Sequence, residues 1–130
     1  MERQLEYNND IIHKPSKYSV KETLDRLEAM LKSKGITIFA RIDQKAAAQT
    51  AGLSMLPAEL LVFGDPKAGT PLMNEHPSIM IDLPLKAVAW ESREGGVTLS
   101  YNCPDFYMKR HALMEAPFKE VDLLIDKALE

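Results

Sequence analysis

Apolar side chains recur at helical spacing over Val20, Leu24, Leu27 and Leu31, which marks one buried face of a 3.6-residue repeat. Ser19 and Glu22 stand ahead of that run with the S-x-x-E spacing of a capping box, where side chains satisfy free backbone N–H groups. Gly35 sits where a left-handed helix stop belongs. The period then changes to two. Ile36, Ile38, Ala40 and Ile42 alternate with Thr37, Phe39 and Arg41, the pattern of a strand with one buried face, and Phe39 points to partial cover on the other. Before the first helix, residues around Leu5 to His13 suit strand pairing, and Pro15 and Ser16 break the pattern.

Asp43 can cap a short helix from Gln44 to Ala51 that Gly52 ends. Glu59 to Phe63 reads as a strand. Thr70 as cap and Pro71 at the first helical position predict a short helix closed by Pro77. Leu85 to Glu91 alternates again, Arg93-Glu94-Gly95-Gly96 makes a turn, and Val97 to Tyr101 returns as a hairpin partner. The end is helical over Pro104–His111, then with Phe118, Val121, Leu124, Ile125 and Ala128 on one face. This order predicts an α+β fold with a mainly antiparallel sheet and helices packed on one face.

Length and charge narrow the picture. With 130 residues, the expectation is a single domain over 1–130, large enough for a core without disulfides or metal. A net charge of −3 argues against nucleic acid, which needs a surplus of Lys and Arg on one face. The lone Cys103 forms no internal disulfide, no stretch approaches the ~20 apolar residues of a membrane span, and the polar N-terminus lacks a signal-peptide core. These features point to a cytoplasmic protein with no membrane partner.

Chemistry concentrates in Phe63-Gly64-Asp65-Pro66-Lys67-Ala68-Gly69-Thr70-Pro71-Leu72-Met73. Gly64 and Gly69 have the G-x-x-x-x-G spacing of a phosphate loop. A true phosphate loop continues with Lys and then Ser or Thr, whereas here Thr70 and Pro71 come next, so nucleotide hydrolysis is excluded. A weaker reading keeps a glycine turn, a helix N-terminus and Lys67 as a place for a small anionic group. The plain alternative is a tight strand-to-helix connection with a solvated lysine.

Three blocks carry a family resemblance: Phe63–Met73, which matches an FG[ND]PKAGTPLM pattern; Asp82-Leu83-Pro84-Leu85-Lys86 ahead of Trp90-Glu91; and Ser100-Tyr101-Asn102 leading to Arg110-His111. In these the chain resembles the bacterial and archaeal domain-of-unknown-function family 302, from about Ser19 to Leu113. Asp65 stands where Asn is commoner and Cys103 where Asp is commoner. The resemblance implies a TATA-binding-protein-like fold and a homodimer, and implies no substrate.

The remaining polar residues each have two readings. Asp82 and Lys86 bracket a Leu-Pro-Leu step as an ion pair, exposed or part of a polar pocket. Tyr101 and His111 are half-buried packing residues, or His111 is an acid or base near neutral pH. His13, His76, His111 and Cys103 lack metal-ligand spacing, so no metal or cofactor is expected. Two functional readings suit these residues. The first is a non-enzymatic module that binds a small anionic or amphipathic ligand, with candidates Lys67, Gly69, Thr70, Asp82, Lys86, Tyr101 and His111, and Leu72 and Met73 as an apolar wall. The second is an enzyme with a minimal acid–base site of Lys67, Asp82, Lys86, Tyr101 and His111. A third, a structural or protein-interaction domain, predicts no pocket of roughly 300 Å³ or more.

Overall fold

A computed structural model of the chain describes residues 10–130. Strand pairing expected from Leu5 to Asn9 lies outside the described residues. The first helix, α1 (Val20–Ser33), forms where the pattern predicts it. The Ser19 hydroxyl accepts the Glu22 N–H at 3.0 Å, and Gly35 takes a φ of 75° past the helix end, a conformation that costs a glycine little. Val20, Thr23, Leu24, Leu27 and Leu31 are buried.

Five strands form one antiparallel sheet: β1 (Ile11–Ser16), β2 (Thr37–Asp43), β3 (Ala58–Gly64), β4 (Leu85–Glu91) and β5 (Val97–Asn102), in the spatial order β1-β5-β4-β3-β2. The α+β class with an antiparallel sheet is as the sequence predicts. Leu61, Phe63, Leu85, Ala87, Ala89, Leu99 and Tyr101 share one face by register and are buried. Helices α1 and α5 (Glu120–Leu129) pack together over that face. Ala87 and Ala89 are small, which lets α1 approach the sheet. The opposite face, with Leu60, Val88 and Trp90, is half-buried.

Three expectations are corrected. Pro15 and Ser16 do not break β1 but belong to it, opposite Thr98 and Val97. Among the described residues β1 lies at the edge of the sheet, a position where the missing N–H of proline is tolerated. In β2 the alternation does not run through, because the register shifts between Ile38 and Ala40. Phe39 is the extra residue of a bulge, and a bulge swaps the faces of the residues after it. Arg41 therefore turns to the helix side, pairing with Asp25 at 2.7 Å and Glu59 at 2.8 Å, while Ile42 is left largely exposed. The Lys21 and Arg41 cations hold the Asp25 carboxyl below its usual range.

The third correction concerns the helix after β3. It does not start at Thr70. α3 spans Pro66–Glu75, with Asp65 as cap and Pro71 inside. The Asp65 carboxylate accepts the Lys67 N–H at 3.0 Å. Asp65-Pro66 carries the same cap-then-proline signature as Thr70-Pro71, and the helix starts at the first of the two. Pro71 then withholds one helical N–H. A 3₁₀ turn, Pro77–Ile81, precedes β4, and α4 (Pro104–His111) comes directly after β5, so both lie at the same end of the sheet. The short α2 (Gln44–Thr50) is capped by Asp43 as expected.

Candidate functional site

β3 ends, β4 begins and β5 ends at one end of the sheet, so α3, the 3₁₀ turn and α4 gather there. A cavity of about 150 Å³ opens in this region. Its apolar walls are Phe39, Met73, Leu83, Pro84, Leu85 and Phe118, and Gly69 and Thr70 of α3 line it as well. Gly69 is buried and Thr70 exposed, which places the threonine at the mouth. The β2 bulge carries Phe39 to the cavity, and a β-carbon on Gly64 would come within 3.3 Å of the Phe39 ring. Phe118 holds a φ of 61°, a region a bulky residue adopts only under strain, and its ring meets Tyr107 edge-on at 6.2 Å. Burial pushes the Tyr107 phenol up from its ordinary pKa, against a hydrogen bond with Asn102 that lowers it.

Beside this cavity in sequence, the structure assembles a polar chain. The Asp82 carboxylate lies 2.5 Å from Nε2 of His111, and Nδ1 of His111 lies 2.7 Å from the Ser78 hydroxyl. A carboxylate only accepts, so Nε2 carries the proton that binds it. The His111 side chain is 2 % exposed and that of Asp82 11 %, while Ser78 is exposed. Arg110 approaches Asp82 at 3.5 Å.

The other candidates fall elsewhere. Lys67 is exposed and absent from the cavity wall. Lys86 does not pair with the Asp82 carboxylate as the sequence suggested. Its ammonium donates to the Pro84 carbonyl at 2.9 Å and the Asp82 carbonyl at 3.5 Å, because that carboxylate is engaged by His111 and Arg110. Tyr101 is buried on the helix side, and its hydroxyl donates to Asp122. Burial, with Asp122 adding to it, raises the Tyr101 phenol well above its ordinary range. Lys14 ties the same Asp122 at 3.3 Å and Asp126 at 2.5 Å, joining β1 to α5. Burial opposes the Lys14 charge, but hydrogen bonds to Asp126 and Tyr101 outweigh it and hold the ammonium above its ordinary value. Asp82 and His111 thus meet, Gly69 and Thr70 share a cavity, and Lys67, Lys86 and Tyr101 join neither group.

On the half-buried face of the sheet, His13 Nδ1 lies 2.7 Å from the Ser100 hydroxyl, which also accepts the Trp90 indole N–H at 2.9 Å. These residues line a shallow hollow of about 340 Å³. Among the described residues, no group of three His, Cys, Asp or Glu side chains is placed to hold a metal.

Sequence reasoning missed Ser78 and Phe118. Ser78 has no motif around it, since its partners lie far along the chain. The apolar spacing puts Phe118 on a helix face, whereas it precedes α5 in a left-handed turn.

The sequence model of the family described as "Domain of unknown function DUF302" matches residues 12–130. The chain belongs to this family. A crystal structure of an uncharacterized conserved DUF302 protein from Bacillus stearothermophilus superposes with a TM-score of 0.78, covering 93 % of this chain and 96 % of that one. At 21 % identity, that likeness shows the fold. Two similar sequences are the "Fluoride-specific ion channel FluC 1" proteins of Brucella suis biovar 1 and Brucella abortus biovar 1, each 45 % identical over 98 residues. The matches cover 75 % of this DUF302 chain but only 39 % and 36 % of those proteins, so the chain spans less than two fifths of their length. No helix among the described residues is long and apolar enough to cross a membrane.

Proposed function

We propose that this chain is a binding module for a small amphipathic molecule held against α3. The observation that carries the reading is the apolar cavity of about 150 Å³ with Thr70 at its mouth. A cavity near this size takes a benzene-sized guest and is smaller than the roughly 300 Å³ at which drug-sized pockets begin. The ligand class is therefore a ring or short acyl chain with one neutral polar group for the Thr70 hydroxyl. An anionic head is disfavoured. The Asp65 carboxylate already occupies the helix N-terminus, and Lys67 stands outside the wall. At the binding energy that so few atoms can supply, a dissociation constant in the high-micromolar to millimolar range is expected.

Gly69→Ala tests the reading because it separates stability from binding. A β-carbon there would meet Leu83 Cδ1 at 3.7 Å and Met73 Cε at 3.9 Å, ordinary contacts that narrow the cavity. Glycine inside a helix costs about 0.5–1 kcal/mol relative to alanine, so the variant should melt a few degrees higher. With indole as probe, titration followed by NMR should show binding to the wild type and severalfold weaker binding to Gly69→Ala. Equal binding to both, or none to the wild type, would remove the cavity as the site.

A second reading rests on the Brucella relatives. The match spans 98 residues, three quarters of this chain, yet no helix among the described residues is long and apolar enough to cross a membrane. We infer that the chain corresponds to a part of those proteins outside the membrane-spanning channel, and that it works alongside fluoride export. Deleting the chain's gene in the organism that carries it should lower the fluoride concentration that arrests growth, with chloride tolerance unchanged. Unaltered fluoride tolerance would sink this reading and leave the cavity untouched.

A further inference from the structure

We infer that Ser78 is a nucleophilic serine whose proton is taken by His111, and that the site accepts activated esters or thioesters of small apolar acids. The inference is independent of the cavity. It stands on the chain Ser78–His111–Asp82, with links of 2.7 Å and 2.5 Å.

Each member has the burial its role requires. The carboxylate and the imidazole are withdrawn from water, at 11 % and 2 % side-chain exposure, so their hydrogen bonds do not compete with solvent. The serine is exposed, so a substrate can reach it. The Asp82 carboxylate accepts from Nε2 and thereby leaves the lone pair of Nδ1 facing the hydroxyl. In the familiar serine hydrolase arrangement the two ring nitrogens are exchanged, but either can serve as base when the other is held by a carboxylate. Met80 and Ile81, 55 % and 71 % exposed, follow the serine on the same 3₁₀ turn and offer an apolar surface to the acyl group. Because the serine opens to solvent, water is at hand for the second half of the reaction.

In the first step Ser78 Oγ attacks the acyl carbon and its proton passes to His111 Nδ1. The bond to the leaving alkoxide or thiolate breaks, and that group takes the proton. Water then attacks the acyl-serine, giving a proton to Nδ1. Ser78 leaves as its oxygen takes that proton back, and the free acid is released. Ser78 and His111 are the catalytic residues, and Asp82 is a positioning residue.

The test uses the whole chain with p-nitrophenyl butyrate and, in parallel, a fluorophosphonate that stays attached to an activated serine. The adduct should map to Ser78 by peptide mass spectrometry, and form at least tenfold more slowly in Asp82→Asn. Ester hydrolysis in Ser78→Ala should fall at least tenfold, to the level of free imidazole chemistry, with unchanged circular dichroism. A serine that merely ties the 3₁₀ turn to α4 would not be labelled. An unlabelled Ser78, labelling spread over other serines, or equal hydrolysis by wild type and Ser78→Ala would overturn the assignment.

Discussion

Phe63→Ala should lower the stability of the chain by about 3–5 kcal/mol, the range for deleting a buried phenylalanine. Phe63 is 1 % exposed. It sits on the helix-facing side of β3, opposite Ile38 of β2 and Leu85 of β4, so both neighbouring strands lose a packing partner at once. It also borders a hollow of only about 20 Å³ shared with Tyr107, Phe118 and Val121. Removing the ring enlarges that hollow into a void that the sheet cannot collapse to fill, because the ladders on both sides fix the backbone. Against a typical total of about 5–15 kcal/mol, the loss is large enough to leave part of the population unfolded at room temperature. Urea unfolding followed by far-ultraviolet circular dichroism checks this. Phe63→Leu, which keeps much of the volume, should lose less than half as much. A loss below about 1 kcal/mol for the alanine variant would mean that the ring does not fill the core between β3, α4 and α5.

The same residue shows what the sequence made legible. Phe63 ends an apolar run, Leu60 to Phe63, and that run, the alternation of Leu85 to Glu91 and the glycine turn before Val97 placed β3, β4 and β5 nearly to the residue. α1 was equally plain, since its cap, its apolar stripe and its glycine stop agree with one another. Where two local signals competed, the reading failed. Asp65-Pro66 and Thr70-Pro71 both say "helix start", and nothing local tells which one nucleates. The β2 bulge was invisible for a different reason. Ile38, Ala40 and Ile42 keep perfect alternation along the sequence, and only pairing with β3 reveals that Phe39 is extra.

The candidate site divides along the same line. The glycine-rich segment after β3 stood out as a candidate because its residues are contiguous, and Gly64, Gly69 and Thr70 line one cavity. The other walls of that cavity were not legible, since Phe39, Leu83 and Phe118 reach it from three separate parts of the chain. Asp82 and His111 were picked out individually for their chemistry. Their contact was unreadable, as it depends on the 3₁₀ turn and α4 converging at one end of the sheet. Ser78 completes that contact from a surface turn whose sequence carries no signature.

Asp82→Ala and His111→Ala should each destabilise the chain, and the two losses should fail to add. Removing the carboxylate strands the Nε2 proton of a ring that is 2 % exposed, and an unsatisfied buried donor costs about 1–3 kcal/mol. Removing the ring strands Asp82 in turn and opens a cavity at the C-terminus of α4. With both gone, neither polar group is left unpaired, so the double variant should be about 1–2 kcal/mol more stable than the sum of the single losses predicts, a coupling usual for residues in direct contact. Arg110→Ala is the control. Its guanidinium is half exposed and 3.5 Å from Asp82, and a solvent-exposed pair of that kind contributes less than about 1 kcal/mol. Additivity within about 0.5 kcal/mol would mean that Asp82 does not hold the ring. It would also strip the Ser78 relay of its carboxylate, because a ring free to turn has no fixed nitrogen to offer the serine. Strong coupling together with an unlabelled Ser78 would instead identify the pair as a clamp between the 3₁₀ turn and α4. The cycle measures the clamp, the adduct measures the chemistry, and the two results bear on different links of the same chain of contacts.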